Sequence, residues 1–159
     1  VELTGPAGVR RLPIQAFYLR AGVVDLRPGE LQTAILIRRA SYEGYQGHYI
    51  KYAMRNAMDI ATTGCSVNVK LTEDRRDIVD ARIAYGVAGP VPMRAPSAEA
   101  AVRGLPVSEQ TVAAFGKAAL ADVNPRTSWR ASREFRLQLA EELAVRALRE
   151  SIRRSGGNI

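Results

Sequence analysis

The chain has 159 residues, 47% hydrophobic and 25% charged, with 23 Lys and Arg against 16 Asp and Glu for a formal charge of +7. These values fit one ordinary domain, or one domain plus part of another, and exclude an intrinsically disordered chain. No apolar run approaches the roughly 18 residues needed to span a bilayer. The single cysteine, Cys65, excludes an internal disulfide framework and cannot by itself make a structural zinc site. The opening Val1-Glu2-Leu3-Thr4-Gly5-Pro6 lacks the basic and apolar regions of a secretory signal. A reducing, cytoplasmic setting is therefore expected, and the missing initiator Met suggests a piece of a longer polypeptide. The basic balance is compatible with nucleic acid, an anionic surface or an acidic protein partner, and does not choose among them.

Taken in chain order, residues 1–4 and 9–12 are short strand-like runs flanking Gly5-Pro6-Ala7-Gly8, a turn composition that predicts a hairpin. A Gly- and Pro-containing loop then leads through Arg27-Pro28-Gly29-Glu30 to residues 31–37, whose β-branched content predicts a strand. Residues 1–40 do not make a whole domain, and these strands need partners that so short a segment can lack. The polar stretch Tyr42-Glu43-Gly44-Tyr45-Gln46-Gly47 marks a boundary, giving an expected division into residues 1–40 and 41–159.

Beyond that boundary the pattern becomes regular. A strand is predicted over 49–53. Val67, Val69 and Leu71 alternate with polar residues, as do Val79, Ala81, Ile83, Tyr85 and Val87, the period-two signature of strands with one buried face. The short link 72–77 predicts that the last two pair antiparallel. Pro90, Pro92 and Pro96 end the strand pattern and helices follow. Ser97 is expected to cap a short helix ending at Gly104. Ser108 is expected to cap a second, with Val112, Phe115, Ala119 and Val123 as its apolar face. The third and longest runs from about Ser128 or Arg130 to Arg154, with Phe135, Leu139 and Leu143 at spacing four and Gly156-Gly157 as a left-handed stop. Glu142 with Arg146 and Glu150 with Arg154 are i,i+4 pairs. The predicted fold class is α+β: a three-stranded antiparallel sheet with three helices on one face, preceded by extra strands.

Strong catalytic signatures are missing. His48, the only histidine, has no evident nucleophile or acid partner and reads as an ordinary polar loop residue. Cys65 reads as a small buried hydrophobe. Neither a Gly-x-Gly-x-x-Gly nor a Gly-x4-Gly-Lys-Ser/Thr phosphate loop is present. The final helix carries Arg130, Arg133, Arg136, Arg146, Arg149, Arg153 and Arg154, which could track phosphates. Interleaved Glu134, Glu141, Glu142 and Glu150 weaken that field and favour a solvated or partner-facing helix. The most informative segment is 49–65, where a lysine sits inside a strand and Arg55 and a strand break precede Asp59. On residue types alone, Lys51 and Arg55 snorkel at an edge, with Asp59 pairing one of them or capping a turn.

Three stretches carry a family resemblance: Lys51-Tyr52-Ala53-Met54-Arg55-Asn56-Ala57-Met58-Asp59-Ile60-Ala61; Ala84-Tyr85-Gly86-Val87-Ala88-Gly89-Pro90-Val91-Pro92-Met93-Arg94; and Asp122-Val123-Asn124-Pro125-Arg126-Thr127-Ser128-Trp129-Arg130-Ala131-Ser132-Arg133-Glu134-Phe135-Arg136. Together they resemble the FAD-binding subunit of bacterial xanthine dehydrogenases, and more broadly the flavoprotein subunit of molybdenum hydroxylases, including carbon monoxide dehydrogenase. The resemblance implies that residues 1–40 are the tail of an FAD-binding domain and 41–159 a CO dehydrogenase flavoprotein C-terminal domain. It implies FAD contacts at Lys51 and at Gln32 with Leu31, no catalytic side chain and no metal site. A molybdenum cofactor and iron–sulfur clusters would reside on partner subunits, with electrons passing through FAD to NAD during purine hydroxylation. By itself the fragment would be inactive and would bind FAD weakly or not at all. In vertebrate relatives the loop after this Arg lies beside the flavin and carries acidic residues that influence NAD access, whereas here Ala57-Met58 precedes Asp59. The arginine-rich helix and exposed sheet edge become candidate docking surfaces, with no nucleic acid or membrane expected. The alternative reading is a non-catalytic protein- or nucleic-acid-binding module that uses the basic C-terminal helix.

Overall fold

Strand pairing in the computed structural model, which describes residues 1–159, accompanies a division of the chain into two compact units, Val1–Glu43 and Gly44–Ile159. In the first, β1 (Glu2–Gly5) and β2 (Gly8–Arg11) form the predicted antiparallel hairpin. The other edge of β1 takes β5 (Leu31–Ala34), so the strand expected to need an outside partner finds one within its own unit. It stops at Ala34, leaving Ile35, Leu36 and Ile37 exposed. The stretch read as loop holds a short helix α1 (Ile14–Phe17) and a two-stranded ribbon, β3 (Tyr18–Arg20) with β4 (Val23–Val24). Gly22, at φ +71°, makes the turn between them without the Cβ clash another residue would meet.

The core of this unit is small, built on Val1, Leu3 and Phe17 with Leu12, Tyr18 and Val24 packed against it. Charge supplements it. The Arg10 guanidinium donates from Nε to Glu30 Oε1 at 2.7 Å, from Nη2 to Glu30 Oε2 at 2.8 Å and from Nη1 to Asp25 Oδ2 at 3.0 Å, tying the hairpin to the loop before β5. Arg10 first, and then the Arg27 backbone N–H, pull the Glu30 carboxyl down from 4.5 to about 2.

The second unit is a four-stranded antiparallel sheet ordered β6 (Gln46–Tyr52), β7 (Thr63–Leu71), β8 (Ile78–Gly86), β9 (Met93–Arg94). The three predicted strands are present, and the fourth has only two residues. Helices α2 (Pro96–Val102) and α4 (Arg133–Arg154) pack on it, α4 against β6 and β7 and α2 against β8, while α3 (Glu109–Ala119) packs against α2 and α4. No helix is long and apolar enough to cross a membrane.

Local physics explains the departures from expectation. A register shift at Lys70/Leu71 places Ile78 opposite Leu71 and buries it fully, so Val79 stands 43% exposed although the alternation had put it inside. Val87 leaves the strand with φ +66° and is also exposed. Ser97 is not a cap: Pro96 takes the first helical position after Ala95, and the Ser97 N–H and hydroxyl both reach the Asp122 carboxylate, at 2.8 and 3.1 Å. Ser108 does cap α3, accepting from the Thr111 N–H at 3.1 Å. Helix α4 begins later than predicted because residues 128–131 close a tight turn, with Ser128 N donating to Ala131 O at 2.9 Å and Ala131 N to Ser128 O at 3.2 Å. Ser132 is its cap, accepting from Phe135 N at 3.2 Å, and Gly156, at φ +80°, ends it.

The outer edge of β8 is satisfied piecemeal, since β9 pairs only with Ala84 and Tyr85. Ile78 donates to Leu105 O at 2.9 Å and accepts from Gly104 N at 2.8 Å. Ile83 N donates at 3.1 Å to Glu99, a buried carboxylate on α2 that also receives Arg94. Glu99→Ala leaves a buried N–H and a guanidinium without their acceptor and is expected to cost about 1–3 kcal/mol. Urea unfolding should show a lower midpoint at unchanged slope. The depressed Glu30 carboxyl contributes stability that is full above pH 4.5 and lost as pH falls towards about 2. Carbon-detected NMR should place its midpoint near 2, with β1 and β2 amide signals losing their dispersion across the same window.

Candidate functional site

The end of β6 and the start of β7 frame the loop that holds the unusual strand lysine. Tyr52 and Thr63 are the last register pair, and Thr62 N donates to Tyr52 O at 2.8 Å, closing the loop's neck. Inside the loop Asp59 organises the backbone: Oδ2 accepts from Met54 N at 2.8 Å and Arg55 N at 3.3 Å, and Oδ1 from Ile60 N at 2.9 Å. Desolvation pushes the Asp59 pKa up, but the three backbone N–H groups prevail and hold it below its ordinary value. Of the open readings, Asp59 therefore caps the turn through its carboxylate. Arg55 Nη2 donates to Met58 O at 2.6 Å. Lys51 Nζ donates to the Asp59 carbonyl at 2.6 Å, so the ammonium is steered by a backbone oxygen and keeps N–H groups for another acceptor.

This turn points apolar atoms outward. Met58 takes φ +50° at the tip and is 93% exposed, while Met54 and Ile60 are 69% and 63% exposed. Lys51 is exposed beside them on an edge strand.

Leu31 and Gln32 lie in the other unit, on β5 opposite Thr4 and Leu3. Leu31 is 72% exposed and Gln32 is exposed. Adjacent strand residues face opposite ways, so these two side chains serve opposite faces of that small sheet.

The remaining singled-out residues are structural. His48 lies within β6 opposite Val67 and is half-buried, not in a loop, because the strand begins at Gln46. Cys65 is fully buried in β7, and burial pushes its thiol up to about 12, far from a reactive thiolate. No group of three or more His, Cys, Asp or Glu side chains is placed to hold a metal ion. Along α4, Arg146 pairs with Glu142, Arg149 with Glu109, and Arg153 and Arg154 with Glu150. Arg136 is buried, and Arg130 stacks on the Trp129 ring at 4.2 Å. The helix does not carry a continuous phosphate-tracking stripe.

Sequence reasoning missed what grips the loop's neck. Arg136 donates from Nη1 to Thr62 O and from Nη2 to Ser128 Oγ at 2.9 Å, while the Phe135 ring meets Tyr52 edge to face at 6.0 Å between centroids. A signal existed, because Arg136, Leu139, Ala140 and Leu143 share the sheet-facing stripe at helical spacing.

Residues 48–151 match the CO dehydrogenase flavoprotein C-terminal domain. The chain is 38% identical over all 159 residues to the xanthine dehydrogenase FAD-binding subunit of Escherichia coli O157:H7, of which it covers 54%. Among solved structures, CO dehydrogenase from Hydrogenophaga pseudoflava, in a form lacking the Mo-pyranopterin moiety of the molybdenum cofactor, is 28% identical with a TM-score of 0.80, over 94% of this chain and 51% of that one. Quinoline 2-oxidoreductase from Pseudomonas putida 86 has a TM-score of 0.83 over 97% of this chain and 52% of that one, and its 23% identity speaks to the fold alone. The chain spans about half the length of the curated relatives it matches. The match over residues 48–151, on the same sheet, helices and loop described above, shows that the chain belongs to the CO dehydrogenase flavoprotein C-terminal domain family.

Proposed function

We propose that this chain is the C-terminal part of the FAD-binding subunit of a xanthine dehydrogenase-type molybdenum hydroxylase, working in a cytoplasmic complex with molybdenum-binding and iron–sulfur subunits. The observation that carries the reading is similarity over all 159 residues of this chain to a protein named as that subunit, joined to an exposed lysine whose ammonium is held by a carbonyl rather than neutralised by a carboxylate.

Each unit, taken by itself, carries side chains whose chemistry suits a flavin. Leu31 offers an exposed apolar surface suited to a ring face, and Gln32 an amide able to donate and accept. Lys51 has N–H groups beyond the one given to Asp59, and can donate to a ring oxygen or phosphate and favour negative charge there. When bound, FAD supplies the redox chemistry that links the iron–sulfur clusters to NAD. The chain's own work is placement: no side chain here makes or breaks a substrate bond. The phosphate-binding loops would lie upstream of Val1, so most of the cofactor's grip is assigned to that segment. Residues 1–40 are read as the tail of the FAD-binding domain and 41–159 as the C-terminal domain.

The visible spectrum of the longer polypeptide, purified without added cofactor, tests this. Flavin bands are expected, and should vanish on deletion of the segment before Val1; the 159-residue chain titrated with FAD should show no stoichiometric binding. A folded, colourless parent that added FAD does not restore would overturn the assignment.

A further inference from the structure

We propose that Arg136 is a positioning residue that, with Phe135 and Ser128, fixes the neck of the 53–61 loop and through it the Lys51 ammonium; the link to a flavin rests on the function proposed above. Consecutive residues in the first turn of α4 hold both ends of the loop. Phe135 meets Tyr52, the last residue of β6, and Arg136 donates to the carbonyl of Thr62, the residue before β7. Thr62 in turn donates to Tyr52 O at 2.8 Å, so Tyr52, Phe135, Arg136 and Thr62 close a ring around the neck. Between these fixed ends the loop backbone leads to Asp59, whose carboxylate gathers the Met54, Arg55 and Ile60 amides and whose carbonyl receives Lys51 Nζ.

The cost of the arrangement argues for position over stability. Arg136 is 4% exposed, yet no carboxylate pairs with it. Burial, and then Arg126 and Arg130 nearby, act against its charge. Its Nε and the Thr62 hydroxyl are buried without partners. A buried cation that lacks an anion is an expensive donor. The guanidinium fork reaches two oxygens from different segments at a set angle, a geometry that an ammonium on a flexible stem does not reproduce.

Two measurements decide the point. In the 159-residue chain, Arg136→Lys and the milder Ser128→Ala are expected to speed amide exchange at Met54, Arg55 and Ile60, the lysine variant by about tenfold, while Val67, Ile83 and Val112 stay protected. Unchanged loop exchange in a folded variant overturns the clamp. In the FAD-loaded subunit, the flavin reduction potential should shift in the same direction for Lys51→Met and Arg136→Lys, and the double variant should add little to Lys51→Met alone. A shift with Lys51→Met and none with Arg136→Lys overturns the positioning role. If Lys51→Met itself leaves the potential unchanged, the flavin reading fails, and loop exchange alone supports or overturns the clamp.

Discussion

The close seating of α4 on β7 is the constraint from which the rest of the larger unit follows. Ala140, Ala144 and Ala147 are fully buried small residues on the sheet-facing side, and they let the helix backbone approach the strands. Two polar tethers take advantage of that approach. Ser151 Oγ donates to Val67 O at 2.9 Å, and Tyr85 OH donates across the core to Ala140 O at 2.7 Å. Helix and central strand run the same way, the first turn of α4 fastened at Thr62 before the strand begins and its last turn at Val67 in the strand's middle. The same seating brings α3 close: a Cβ on Gly116 would lie 2.6 Å from Val145 Cγ2 and 2.9 Å from Glu141 O. Larger residues at the alanines would lift the first turn of α4 from the loop neck. The packing in the centre and the geometry at the loop are therefore one problem.

Charge in this protein mostly orients segments. Asp80 receives Tyr45 OH at 2.5 Å, Arg82 at 3.1 Å and Arg103 at 2.9 Å, joining the start of β6, β8 and the end of α2 through one carboxylate. Exposed pairs such as Arg146 with Glu142 are worth only about 0–1 kcal/mol. Their larger effect is to break up the field of a chain that is formally +7. The contrast is the region around Arg136, where Arg126 and Arg130 are also near and hydrogen bonds to neutral oxygens do the work.

What could be read in advance depended on periodicity. The hairpin of β1 and β2, the long strands β7 and β8, and the Ser108 cap were legible because alternation and capping chemistry are local. β3, β4 and β9 were not, since two or three residues carry no period. Ile78 was mistaken for its neighbour because a bulge changes the count within one strand, and Ser97 because Pro96 occupies the first helical position. At the site, Lys51 stood out as a charge inside a strand, and Asp59 as a turn cap was one of two readings that composition allowed. Leu31 and Gln32 came from family resemblance alone. Arg136 stayed hidden because an arginine in a charged helix reads as surface, and only its place on the apolar stripe distinguishes it.

Cys65 carries one more consequence. As the sole cysteine, fully buried beneath α4, with its thiol held up at about 12, it presents almost no reactive thiolate at neutral pH. The protein is thus close to chemically silent towards maleimides and methanethiosulfonates without further engineering. A Met58→Cys chain would offer a single addressable handle at a tip that is 93% exposed. A spin label or fluorophore placed there would report the motion of the loop against a clean background, in the free chain and in any larger assembly.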